Sequence, residues 1–344
     1  MPGGSVTAEG DPAAAGPLVA GIERQVFGDV GRGEITAWLR RYASIHLSAQ
    51  ADEILFTAGR LAAVYGLGLT DGTAIAVKVH RGATDLGHLT AAAKCQRRLV
   101  DAGFPCPLPL QGPVLIDGRA VTAEQLLTAG ERADAHEPGV RRSMARGLAE
   151  QVALLQRLLP IGLGSPPAWA AYENGPWPTP HDPIFDFRTT PAGFDWLDEL
   201  AARAAAAIGP RQAPDAVGHG DWVCQNLRFT GDRMTAAYDW DSLICHSEVV
   251  LVGLAAGAFT EGSSAGADAP TPAETKSFVA DYEHARGTAF GPGEIRQVLG
   301  AVTWVLTYNA RCDLSLQSLG VPAAPGSALM VLSTHRDQYL QESP

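Results

Sequence analysis

The chain reads as an α+β protein of two lobes, a small one with an antiparallel sheet and a larger, mainly helical one. Three observations carry this reading. In the first third, two pairs of short apolar runs are each joined by Asp-Gly, at Asp71-Gly72 and Asp117-Gly118, the residue pair that closes tight hairpins. Beyond residue 140 the apolar spacing turns helical, as in Met144, Leu148, Val152, Leu155 and Leu158. The length, 344 residues with 46% apolar, suits two lobes around a shared cleft.

Taken in order, residues 1–20 are Gly, Pro and small residues, and are expected to be a disordered tail. Ile35, Trp38 and Leu39 share one face of a short helix over Glu34 to Ala43. Ile54 to Phe56 and Ala63 to Leu69 read as strands, and Thr73 to His80 completes the first hairpin. A helix from Leu86 to Ala102 stops at Gly103 and Pro105, and Val114 to Ile116 with Ala120 to Thr122 form the second hairpin. Helices are expected over Val140 to Leu159, Phe194 to Ile208, Pro272 to Arg286 and Gly293 to Leu316. The proline-dense stretch 160–190 cannot hold a long helix.

Composition narrows the function. The net charge is -11 and no run of Lys or Arg occurs, which argues against nucleic acid as a partner. Acidity of this kind fits a cationic substrate. The five cysteines are scattered and have no CxxC spacing, so neither a disulfide framework nor a zinc site is expected. With no signal-peptide pattern and no bilayer-length apolar run, a soluble cytoplasmic protein without membrane association is expected.

The segment HGDWVCQNLRFTGDRMTAAYDWDS, His219 to Ser242, carries the chemistry. Asp221 is followed five positions on by Asn226, and Asp239 ends the next strand. Phosphoryl transfer needs a carboxylate to orient the attacking hydroxyl and oxygen ligands to hold Mg²⁺ against the phosphates. The order Asp, Asn, strand-terminal Asp is the one found in protein kinases. Here the chain resembles the aminoglycoside phosphotransferase family, whose fold is kinase-like.

The resemblance implies that Asp221 is the catalytic base, that Asn226 and Asp239 are metal ligands, and that His219 braces the loop. Asp241 is a second carboxylate near the metal. Lys78, in Ala-Val-Lys-Val, stands where such folds place the lysine that grips the α- and β-phosphates. The loop carrying Thr57 and Gly59 would cover the phosphates, and backbone groups of Glu124 and Leu126 would meet the adenine edge as the hinge. The implied cofactors are Mg²⁺ and ATP or GTP. The N-lobe would span 21–123 and the C-lobe 124–344, with the nucleotide between them.

One departure stands out. The helix after Lys78 has no Glu where the family places the lysine's partner, a position that falls near Ala92; His88, Gln96 and Asp85 are the candidate substitutes. Trp222 and Trp240 are read as packing, and Gln151, Gln156 and Arg157 as ordinary polar faces. Trp304, Tyr308, Asn309, Arg311 and Asp313 lie on one late helix, in the part of the chain where the family builds its acceptor pocket, and core packing explains Trp304 and Tyr308 equally well. Glu248, Glu261, Asp268 and Asp281 either meet a cationic acceptor or are solvated.

The expectation is therefore a Mg²⁺-dependent small-molecule O-phosphotransferase that inactivates an aminoglycoside, nucleoside or basic peptide antibiotic and so gives resistance. The alternatives are a metabolite kinase of the choline, homoserine or thiosugar type and, in another class, a nucleotide-binding pseudokinase with a regulatory role. A protein kinase is disfavoured by the single-Gly loop and the lack of an Ala-Pro-Glu segment after Asp239.

Overall fold

The structure is a computed structural model describing residues 21–341 except 60, 83, 160, 174–176 and 267–268. The expectations for the 1–20 tail, Arg60 and Asp268 thus lie outside the described residues. The chain divides into two compact units, residues 1–100 with 106–128, and residues 101–105 with 129–344.

The first unit is a five-stranded sheet. Strands β1 (Ala51–Ala58), β2 (Ala62–Leu69), β3 (Ala74–His80), β4 (Pro109–Ile116) and β5 (Arg119–Gln125) lie in the order β1-β2-β3-β5-β4. Every neighbouring pair is antiparallel. At the β4–β5 turn both Asp117 (φ 50°) and Gly118 (φ 76°) have positive φ, the geometry that matches the twist of paired strands. Successive strand side chains alternate between faces. Ile75, Val77, Val79, Val121 and Ala123 accordingly enter one core with Ile35, Trp38 and Leu39 of helix α1 (Arg32–His46). The opposite face of β3 and β5 carries Lys78 and Glu124, the first of these being half-buried. Helix α2 (Leu86–Asp101) follows β3.

The second unit holds α3 (Pro138–Leu155), α4 (Asp195–Ile208), α5 (Glu248–Ala258), α6 (Pro272–Arg286), α7 (Pro292–Ser318) and α8 (Ala328–His335). Two small antiparallel ribbons lie among them, β6 (Ala216–His219) with β9 (Leu243–His246) and β7 (Leu227–Thr230) with β8 (Arg233–Ala237). Helix α5 was not expected from the sequence. Every residue from Val249 to Ala258 is buried, so it has no polar face to produce a helical period. It approaches α7 closely at two glycines: a Cβ on Gly253 would fall 2.5 Å from the Val298 carbonyl oxygen, and one on Gly257 2.8 Å from that of Val302. Among the described residues of 161–190 the one helical element is the short turn Ala168–Ala170, as the prolines dictate.

Candidate active site

In the second unit the chemistry begins where β6 ends. All four β6 residues are buried, and pairing with β9 fixes His219 opposite Leu243. The Gly220 N–H then donates to the Ser242 carbonyl at 2.8 Å, in a space where a Cβ would come within 3.0 Å of that oxygen. The His219 ring is held on both nitrogens: Nδ1 accepts the Asp221 N–H at 3.2 Å and Nε2 bonds the Tyr238 carbonyl oxygen at 2.9 Å. A bare Nδ1 and a protonated Nε2 make this the neutral tautomer. Trp222 and Trp240 stand edge-on to the ring at 5.7 and 5.2 Å. Both are buried and their indole N–H groups donate to backbone carbonyls of Met144 and Ala237. They are packing residues, and His219 is a brace.

Asp221 is followed by a single 3₁₀ turn, Cys224–Asn226, which brings Asn226 back over it. The Asn226 amide nitrogen donates to both the backbone oxygen and Oδ2 of Asp221, each at 3.0 Å. With Nδ2 so engaged, Oδ1 is the atom Asn226 can offer elsewhere. Asn226 then enters the β7–β8 hairpin, whose register sets Leu227 against Ala237 and whose base is closed by Tyr238 N–H bonding the Asn226 carbonyl at 2.9 Å. Asp239 therefore emerges beside Asn226 although thirteen positions separate them in sequence. Its backbone is left-handed (φ 66°, ψ 41°), unusual for a non-glycine residue and tolerated best by Asp and Asn. The Ser242 hydroxyl donates to Asp239 Oδ2 at 3.3 Å. Burial first, and then the charge of Asp239, push the Asp221 carboxyl up to about 7; the Asn226 bond opposes this and Asp241 adds to it. The loops after β6 and β8 thus bring the charges of Asp239 and Asp241 to bear on Asp221.

In the first unit Lys78 lies on β3 opposite Thr122 of β5. It is one of only three lysines among 26 basic residues. Thr57 belongs to β1 and pairs with Tyr65, so the connection that was expected to start at Thr57 is only residues 59–61. Gly59 turns it at φ 116°, where a Cβ would fall 1.9 Å from the Ala62 carbonyl oxygen, a conformation that requires glycine. The hinge expectation is corrected in part. The Leu126 N–H bonds the Ala74 carbonyl oxygen at 3.0 Å as a continuation of the β3–β5 ladder, so this amide is not available to an adenine edge. Glu124 is held through its side chain, by Gln96 at 2.8 Å.

Comparison with known proteins identifies the family and the fold. A sequence profile of the phosphotransferase enzyme family (APH) matches residues 53–245, more than half of the chain. The chain belongs to this phosphotransferase family. No curated protein sequence matches it significantly. Among solved structures it is similar to the amicoumacin kinase hAmiN in complex with AMP-PNP, Ca²⁺ and Ami (10% identity, 90% of this chain and 96% of that one, TM-score 0.56). It is also similar to a choline/ethanolamine kinase family protein from Mesorhizobium loti (17%, 90% and 96%, 0.54) and to macrolide 2′-phosphotransferase type I (14%, 86% and 99%, 0.53). At such identities these likenesses establish the kinase-like fold.

Several residues of the phosphotransferase stand differently from their sequence reading. Gln151 is no ordinary polar face: it is fully buried, and its Oε1 accepts the His219 N–H at 3.1 Å. Trp304 and Tyr308 are buried in the helical core, one of the two alternatives read for them, and Arg311 is buried with them. Glu248 is engaged by Tyr282 and Arg286, Asp281 by Arg141, and Glu261 by Gln225. Sequence reasoning missed Trp169, in the proline-dense segment, whose indole N–H donates to the Gly220 carbonyl at 2.8 Å. None of the five cysteines is in a disulfide, and no helix of the described residues is long and apolar enough to cross a membrane.

Proposed function

We propose that this phosphotransferase moves the γ-phosphate of ATP or GTP to a hydroxyl of a small-molecule antibiotic, with Mg²⁺ held by Asn226 and Asp239. The observation that carries the reading is the Asn226 amide clamped on Asp221 at the base of the hairpin that also presents Asp239. The donor set fits the ion. Asn226 Oδ1 and the Asp239 carboxylate are hard oxygen ligands, and the mutual repulsion of Asp221, Asp239 and Asp241 favours a cation among them. Among the described residues no cluster of three or more His, Cys, Asp or Glu side chains is arranged to hold a metal alone. Mg²⁺ is commonly bound by one or two protein oxygens together with phosphates and water.

An ion held by Asn226 and Asp239 would offset the negative charge of the nucleotide phosphates. Asp221 accepts the acceptor's hydroxyl hydrogen and aims its lone pair at phosphorus. Asn226 keeps the Asp221 carboxylate in one rotamer, and Lys78 engages the α- and β-phosphates. The two antibiotic-modifying neighbours set the acceptor classes to test first, while the choline/ethanolamine kinase family neighbour supports a metabolite acceptor as the second reading.

The test is nucleotide consumption with Mg²⁺ and ATP or GTP against hydroxyl-bearing antibiotics and metabolites, with Asp221→Asn alongside. Turnover with one acceptor, reduced by about 10²- to 10⁴-fold in the variant while nucleotide still binds, is expected. Wild-type turnover in the variant, or no nucleotide binding by the native protein, would sink the reading.

A further inference from the structure

In protein kinases the strand lysine that grips the phosphates is itself held by a glutamate from the next helix, and the pair must be in place for activity. Helix α2 lacks that acid. Its buried face is Leu89, Ala91, Ala92, Cys95, Gln96 and Leu99. Asp85 is exposed and caps the helix start, accepting the N–H groups of Gly87 and His88 at 2.8 and 3.2 Å. The lysine's anion must come from another element.

The sheet register supplies one. On β3 and β5 Lys78 pairs with Thr122, and Ala76 with Glu124, so Glu124 is the diagonal neighbour of Lys78 on the same face. Diagonal pairs lie about 7–8 Å apart at the backbone, within reach of long side chains. Glu53 of β1 is the other acid on this side, but it pairs with Gly68, which faces Ala74, two strands away and four residues along. The Glu124 carboxylate is directed inward. The Gln96 side-chain amide, itself buried, donates to Glu124 Oε2 at 2.8 Å and to the Pro107 carbonyl at 2.9 Å. Burial, and after it the Glu124 charge, raise the pKa of the buried Cys106 thiol nearby. A carboxylate has two acceptor oxygens, so Gln96 orients the group without exhausting it. A neutral amide also leaves the negative charge intact for a cation.

We propose that Glu124 is the positioning residue that holds Lys78 for the nucleotide phosphates, with Gln96 on α2 orienting its carboxylate. The acid supplied by a helix in protein kinases is here supplied by β5, and the helix contributes the amide that aims it. This rests on the phosphate-binding reading of Lys78.

Only Lys78, Lys94 and Lys276 are lysines, so carbon-13-labelled lysine gives three assignable NMR titrations in the full chain. Glu124→Gln is expected to lower the proton affinity of Lys78 about tenfold and leave the other two unchanged. It is also expected to weaken binding of AMP-PNP with Mg²⁺ at least tenfold. Adding Glu124→Gln to Lys78→Ala should cause no further loss, as for residues acting as one unit. Ala92→Glu, one turn before Gln96 on the buried face of α2, should restore binding in the Glu124→Gln protein, which a merely structural role would not permit. If Glu124→Gln does not fold, Glu124→Asp, shorter by one methylene, carries the same two readouts. An unchanged Lys78 titration, or losses that simply add, overturns the proposal. A responsive Lys78 in a native protein that binds neither AMP-PNP nor GMP-PNP supports the pairing and overturns the phosphotransfer reading instead.

Discussion

The Trp169 indole N–H donates to the Gly220 carbonyl oxygen at 2.8 Å, one residue before Asp221. The Trp169 carbonyl in turn accepts the indole N–H of Trp304 at 2.9 Å. The buried helix α7 is thus tied through two tryptophans to the loop that carries Asp221.

Trp169→Phe keeps a ring in place and removes the donor. A buried carbonyl left without its partner costs about 1–3 kcal/mol, so denaturant melts should show a loss of that size. Turnover should fall about tenfold with the nucleotide KM unchanged, because the displaced group is Asp221 and not Lys78. A variant with native stability and native kcat would show that the bond does not position the loop.

The raised carboxyl of Asp221 makes a pH prediction for the nucleotide-free protein. Its pKa in the folded chain, about 7, lies above the ordinary carboxyl value of 3.8. Between these values the folded state holds a proton that the unfolded state has released, so stability is greatest at the acid end and is lost as pH rises towards 7. Asp221→Asn should remove this slope: the variant should match wild type near pH 4 and exceed it at pH 8. Parallel unfolding curves across that range would contradict the assignment.

Gln151→Leu preserves volume in α3 and deletes the acceptor of the His219 N–H. A loss of about 1–3 kcal/mol is expected, with reduced kcat because the brace under Asp221 loosens. Equilibrium unfolding and initial rates on the same preparation check both. A neutral result would return Gln151 to the role of filler.

Gly253→Ala sets two effects against each other. Helix propensity alone favours alanine by about 1 kcal/mol. The new methyl, however, would sit 2.5 Å from both the Val298 carbonyl oxygen and the Ala301 Cβ, and overpacking of this kind costs about 1–3 kcal/mol or more. Backbone contact cannot be relieved by a rotamer change, so net destabilisation is expected. A stabilised variant would mean that α5 and α7 can move apart.

What the sequence discloses follows from how local each feature is. The hairpins at Asp71-Gly72 and Asp117-Gly118 are decided by the turn residues themselves, and amphipathic helices such as α3 show a period. Helix α5 is buried on every side, so its pattern, Val-Val-Leu-Val-Gly-Leu-Ala-Ala, has no polar phase to read. Strands β6 and β9 are four residues each, too short to stand out. At the site, the proximity of Asp221, Asn226 and Asp239 is legible because one turn and one hairpin create it. The Trp169 bond and the Gln96–Glu124 bond join residues 51 and 28 positions apart, and nothing near either residue announces the partner.

The β7–β8 hairpin gives the two intervals of the site different freedom to vary. Asn226 precedes one strand and Asp239 follows the other, so the count between them records hairpin length and not the size of the site. Lengthening both strands by a residue pair would carry the Gly231 turn outward and leave the two side chains adjacent. The five-residue step from Asp221 to Asn226 has no such slack, because it closes through the Val223 N–H bond to the Asp221 carbonyl and the 3₁₀ turn Cys224–Asn226. A search for distant kin should therefore hold the first interval rigid and let the second float.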